Sequence, residues 1–236
     1  MDLFTFRGIP LRLHISFVLL AAALISIEAL SGGLAAAGTM ALLGATLFGS
    51  VLLHELGHAL AARRFGIETR SITLYPFGGI AALDREPRSP SAELWIALAG
   101  PAVNFALAAA ALPLALLGTP TAVTFVGINI ALGLFNLVPA FPMDGGRVLR
   151  AALATRLGRL RATEQALRTS RWFAWGFVVF GLLYSPNLLL VGGFLLLALG
   201  AERRRLTAQK IAAARAQPTR PPPVVLRHAG WQHPTY

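Results

Sequence analysis

The sequence predicts an all-α polytopic membrane protein with six transmembrane helices and a small membrane-associated β segment. Three observations carry that expectation. Hydrophobic residues fill 56% of the 236 positions and charged residues 13%, with a mean hydropathy of +0.64. An average soluble domain has about 45–50% apolar and about 25% charged residues. The apolar residues fall into six stretches, and the basic residues all fall before the first, after the sixth, or in alternate connections between them.

The stretches are residues 13–30, 38–62, 94–117, 122–138, 172–184 and 188–201. The second to fourth meet the about 17–25 residues needed to cross a bilayer. The last two are short, and Ser185-Pro186-Asn187 between them is a turn signal, so they read as a tight helical hairpin. Their ends can extend into 168–171 and 202–205, where arginines snorkel to the interface. Between the second and third stretches, residues 67–83 contain Ser71-Ile72-Thr73-Leu74-Tyr75 and then Phe77-Gly78-Gly79-Ile80, which read as strands around a Pro76/Gly turn. Residues 147–171 read as a basic, partly amphipathic helix, resting on anionic headgroups or serving as a solvated connector. The core is expected over 1–206. A tail over 207–236 starts as a helical extension and continues as a proline-rich, disordered segment.

All 21 Lys and Arg residues lie before the first stretch, between the second and third, between the fourth and fifth, or after the sixth. The positive-inside rule then places both termini in the cytoplasm, in a multi-pass protein of the cytoplasmic membrane. The net charge of +11 is thus a topology signal, and nucleic acid is not an expected partner. No cysteine is present, which excludes disulfides, thiol catalysis and iron–sulfur clusters. A cleavable signal peptide is not expected, because the first stretch lacks a small-residue cleavage site.

Carboxylates inside a bilayer are expensive and mark function. Glu28, Glu55 and Asp144 lie in or beside apolar stretches, and Glu28 sits near an outer end, where it reaches water. Glu55 belongs to His54-Glu55-Leu56-Gly57-His58. Two histidines at i and i+4 share one helix face and can ligate a single zinc ion. At about 100° per residue, Glu55 projects about 60° from His58, beside the metal and free to hold water. A catalytic zinc needs a third protein ligand and an open position. His228 and His233 lie in the tail, and His14 reads as an interfacial residue. Asp144 is the best candidate. It follows a segment broken by Pro139 and Pro142 and precedes Gly145-Gly146. Irregular backbone at membrane depth occurs where it lines protein or a cavity. The alternative is a turn aspartate at the cytoplasmic boundary.

With these residues the chain resembles the site-2 protease family of intramembrane zinc metalloproteases. His54-Glu55-Leu56-Gly57-His58 matches its zinc motif. Asn136-Leu137-Val138-Pro139 with Pro142-Met143-Asp144-Gly145-Gly146 matches its second signature, and Ala99-Gly100-Pro101 with Asn104 matches a third segment. The resemblance covers roughly residues 1 to 200, without a PDZ insertion or CBS domains. It implies one zinc per chain held by His54, His58 and Asp144, with Glu55 as general base. It also implies that Asn136 contacts substrate or the developing oxyanion. Asn104 carries over as substrate binding or as helix packing. The strands of 67–83 correspond to a small sheet near the active site, able to pair with an unwound substrate.

The implied activity is hydrolysis of peptide bonds within or near transmembrane segments. The implied substrate is a single-span membrane protein: an anti-sigma factor, a tethered transcription factor or a signal-peptide remnant. The lipid bilayer is the other partner. A membrane metal transporter and an inactive protease-like scaffold are the competing readings. A transporter would string ligands along a pathway, and a scaffold would lack a catalytic group.

Overall fold

Long apolar runs rich in Leu and Ala become helices, and the interruptions between them are glycines, prolines and polar turns. The computed structural model describes residues 1–76 and 78–216. The elements are β1 (Asp2–Phe6), β2 (Ile9–Leu13), α1 (Ile15–Arg64), β3 (Thr69–Tyr75), β4 (Gly78–Leu83), α2 (Pro90–Leu116), α3 (Pro120–Asn136), α4 (Asp144–Leu157), α5 (Arg159–Tyr184) and α6 (Pro186–Ala216).

The first two expected stretches lie in α1, which changes course at Gly33, with φ 73° and ψ −171°. Only glycine adopts that backbone without strain. The expected seven-residue connection over 31–37 is therefore corrected to a break at one residue. Helix α2 starts after Ser89, whose hydroxyl accepts the Ala92 amide at 3.2 Å. The expected single helix over 147–171 is also corrected. Gly158, at φ 75°, separates α4 from α5. The hairpin turn is present: Ser185 is extended, and Pro186 opens α6 at the position where a missing N–H costs nothing. Helix α6 continues to Ala216, past the expected boundary at 206, and the tail residues 217–236 lie outside the described residues.

The sheet is larger than expected. No strand is expected over residues 2–13, where the first apolar stretch only begins. They form a hairpin instead, turning at Arg7 and Gly8 with φ of 49° and 88°, the backbone of a type I′ turn. The chain is thus mostly helical, as expected, and the expected small β segment is half of a four-stranded sheet. The strand order is β1-β2-β3-β4. β2 runs parallel to β3 with Leu11 opposite Ile72, and β3 runs antiparallel to β4. Ile9, Leu11 and Ile72 bury their side chains against Leu56 and Ala59 of α1. That contact seats the sheet on the turn of α1 that carries the histidines.

Among the described residues, three helices are long and apolar enough to cross a membrane: α1, α2, and residues 186–212 of α6. Helix α3 is a shorter apolar helix. Together they make a multi-pass membrane protein. α1 packs on α2 and α3, α2 on α4, and the α5–α6 hairpin joins through α4. Half-buried Arg150 of α4 ties these parts together. It reaches Glu93 of α2 at 2.5 Å and Glu202 of α6 at 3.6 Å, and lies 5.1 Å from the centre of the Phe141 ring. At the exposed end of the hairpin, Lys210 pairs with Glu164, and this hydrogen bond holds the carboxyl below its ordinary range.

Candidate metal centre

Each donor is placed by a local feature of the sequence. His54 and His58 sit one turn apart in the inner arm of α1, both 5% exposed. Asp144 is the first residue of α4 and is 7% exposed. Its position follows from the two glycines after it. A Cβ on Gly145 would run into the carbonyls of Leu137 and Val138, and one on Gly146 would lie 2.7 Å from the Phe141 nitrogen. The start of α4 therefore packs backbone to backbone on the 137–141 segment. That segment contains a cis Phe141–Pro142 bond. It is also anchored from α5: the Phe141 amide donates to the Ser170 hydroxyl at 2.8 Å, and Phe141 and Met143 pack into a core with Ala166, Ala174, Leu195 and Leu199.

The three side chains converge. His54 Nε2 and His58 Nε2 lie 3.0 Å apart, and Asp144 Oδ2 lies 3.0 Å from the first and 3.1 Å from the second. The opposite ring nitrogens reveal the protonation pattern. His58 Nδ1 lies 2.6 Å from the Ile96 carbonyl, which can only accept, so Nδ1 carries the hydrogen. His54 Nδ1 lies 2.6 Å from Asn104 Oδ1, again an acceptor. In neutral imidazoles both Nε2 atoms then present lone pairs, facing each other and a carboxylate oxygen. Three electron-rich atoms at such distances repel unless a cation lies among them. Donors around a tetrahedral ion with bonds of about 2.0–2.1 Å lie about 3.3 Å apart, close to this triangle. Above the triangle the helix backbone leaves room: a Cβ on Gly100 of α2 would lie 2.6 Å from His54 Nε2 and 2.5 Å from His58 Cε1. The donor set and the cradle both fit a zinc ion. Among the described residues this is the one group of three His or carboxylate side chains able to hold a metal.

Glu55 stands half-buried on the same turn of α1, and Gly79 of β4 packs against its side chain. Asn136 is not drawn into the cluster. It ends α3, and its amide donates to the Leu132 carbonyl at 3.0 Å. His14 caps the start of α1 and stacks on Tyr75, apart from the donors. Asn104 holds His54. It is fully buried, and behind it stand buried Asn129 and Ser50, which sequence reasoning missed. The signal was available: an asparagine in an apolar helix needs a partner across an interface.

A helical membrane scaffold that gathers an H-E-x-x-H pair and a distant aspartate around one point is a metallopeptidase architecture. Comparison with known proteins agrees. The sequence model of peptidase family M50 matches residues 42–123 and 118–179. A zinc metalloprotease of Methanocaldococcus jannaschii is 39% identical over 207 residues, covering 85% of this chain and 59% of that protein. Stage IV sporulation protein FB of Bacillus subtilis is 32% identical over 164 residues, covering 66% of this chain and 56% of that protein. The solved structure of the site-2 protease from Methanocaldococcus jannaschii superposes with a TM-score of 0.67 at 37% identity, covering 86% of this chain and 94% of that one. The chain belongs to peptidase family M50. It spans little more than half the length of the two curated relatives named.

Proposed function

We propose that this protein is an intramembrane zinc metalloprotease that hydrolyses peptide bonds within or near transmembrane segments of membrane-protein substrates. One observation carries the reading: three lone-pair donors from sequence-distant segments face one another at 3.0–3.1 Å, beside a glutamate, inside a bundle of apolar helices. Zinc held by His54, His58 and Asp144 supplies Lewis acidity toward water and the scissile carbonyl. Glu55 takes the proton of the attacking water and returns it to the leaving amine. Asn136 is assigned to the developing oxyanion, since its amide has a second N–H beyond the one given to Leu132.

The strand order supports the route of the substrate. β4 is an edge strand with Gly79 against Glu55, so an unwound segment added to that edge lies alongside the general base. A cavity of about 390 Å³ lined by Leu83, Asp84, Arg85 and Arg147 opens near the start of α4, where Arg147 follows Asp144 by one turn.

The orientation follows the basic residues: six spans, counting α1 as two, with both termini in the cytoplasm and the metal in the cytoplasmic half of the membrane. The substrate class is a single-span protein such as an anti-sigma factor, a tethered transcription factor or a signal-peptide remnant. Residues 1–206 form the catalytic unit. The test is cleavage of a labelled single-span substrate by purified protein in detergent. Cleavage that stops on chelation and returns with zinc supports the reading. Zinc-free protein that cleaves equally well overturns it.

A further inference from the structure

Behind His54 runs an unbroken line of buried polar groups that crosses three helices. His54 Nδ1 donates to Asn104 Oδ1 at 2.6 Å, and Asn104 Nδ2 donates to Asn129 Oδ1 at 2.9 Å. Asn129 Nδ2 donates to Ser50 Oγ and to the Phe125 carbonyl, both at 3.0 Å. The Ser50 hydroxyl donates to the Thr46 carbonyl at 2.8 Å. Asn104 and Asn129 are 0% exposed and Ser50 is 1% exposed. The line therefore leaves α1 at His54, passes through α2 and α3, and returns to α1 one turn before the histidine.

The line has a direction that cannot be reversed. Its far end rests on two backbone carbonyls, which only accept. The Phe125 carbonyl requires the NH2 side of Asn129 to face it, so Asn129 Oδ1 must face Asn104. Asn104 must then turn its NH2 to Asn129 and its oxygen to His54. An oxygen there demands a hydrogen on His54 Nδ1, and that leaves the lone pair on Nε2. A simple interhelical clasp needs the contacts but not this polarity.

We infer that Asn129 and Ser50 are positioning residues that, through Asn104, set the tautomer and ring orientation of His54 and so tune its affinity for the metal. The inference rests on the reading of His54 as a zinc ligand. Groups of this kind behind a metal-bound histidine change affinity by about 10–100-fold when removed. Neither residue is one of the three donors.

The test uses the full chain in detergent, with 15N-labelled histidine, and zinc as the probe. In the metal-free wild type, His54 is expected as a single Nδ1–H tautomer. Asn129→Leu keeps the volume, removes every polar atom, and is expected to give mixed tautomers and an about tenfold weaker zinc Kd by chelator competition. Ser50→Ala makes a smaller change, should fold even where Asn129→Leu does not, and is expected to weaken zinc by a few-fold. A clasp role alone would lower the thermal midpoint while leaving Kd and tautomer as in the wild type. That result in both variants overturns the relay. A wild type that binds no zinc overturns the metalloprotease reading itself, a failure seen before any variant is made.

Discussion

Replacing Gly100 by alanine puts a methyl group on top of the donor triangle. The new carbon would lie 2.6 Å from His54 Nε2 and 2.5 Å from His58 Cε1, where ordinary contacts begin at 3.4 Å. His58 Nε2 would be met closer still, so the imidazoles must retreat by about 1 Å, whereas a metal site tolerates about ±0.2 Å in its bonds. Disturbing the setting of one ligand costs about 10–100-fold in affinity. Two disturbed together cost about 10²–10⁴-fold, or about 3–5.5 kcal/mol at about 1.4 kcal/mol per tenfold. The helix itself gains from the change, because alanine exceeds glycine by about 1 kcal/mol in a helix interior. The variant should therefore fold and lose its metal. The assay is zinc content by mass spectrometry of purified protein, with chelator competition for Kd. Gly44→Ala is the control, since a Cβ at Gly44 meets nothing within 4 Å. A Gly100→Ala protein that holds one zinc with the affinity of the wild type would refute the placement of the ion at these three donors.

Three further outcomes are expected. Glu55→Gln should retain zinc while cleavage falls by about 10²–10⁴-fold, the usual worth of a general base; a zinc-loaded variant that remains active would assign the proton transfer elsewhere. Asp144→Ala should lose zinc and activity together, and metal analysis showing one bound zinc would move the third ligand to another residue. Arg150→Met leaves Glu93 buried without its guanidinium and should destabilise the protein by about 3–5 kcal/mol, read as a lower unfolding midpoint; an unchanged midpoint would show that the Arg150–Glu93–Glu202 network contributes nothing net.

The parts of the fold written in local patterns were legible. Hydrophobic stretches located α1, α2, α3 and α6, and Ser185-Pro186 marked the last turn, because burial in lipid and proline chemistry act over a few residues. The strands β3 and β4 were legible for the same reason. The hairpin of β1 and β2 was not. Its turn at Arg7-Gly8 and the alternation Ile9, Leu11, Leu13 were present in the sequence, but the partner that completes the sheet, Ile72 on β3, lies 61 positions from Leu11. The site divides in the same way. His54 and His58 follow from helical spacing alone, and Asp144 from a broken, glycine-flanked segment. Ser50 and Asn129 were hidden because only their meeting with Asn104 gives them a role, and that meeting belongs to the packing of three helices.

The anchoring of the 137–143 segment has a bearing on biogenesis. Phe141 and Met143, which lead into Asp144, are held by Ala166, Ala174, Leu195 and Leu199. A nascent chain that has emerged only as far as α4 contains every donor atom but lacks the wall against which the aspartate is set. The setting of the aspartate is therefore completed only by residues of the last two helices, far downstream of the donors themselves.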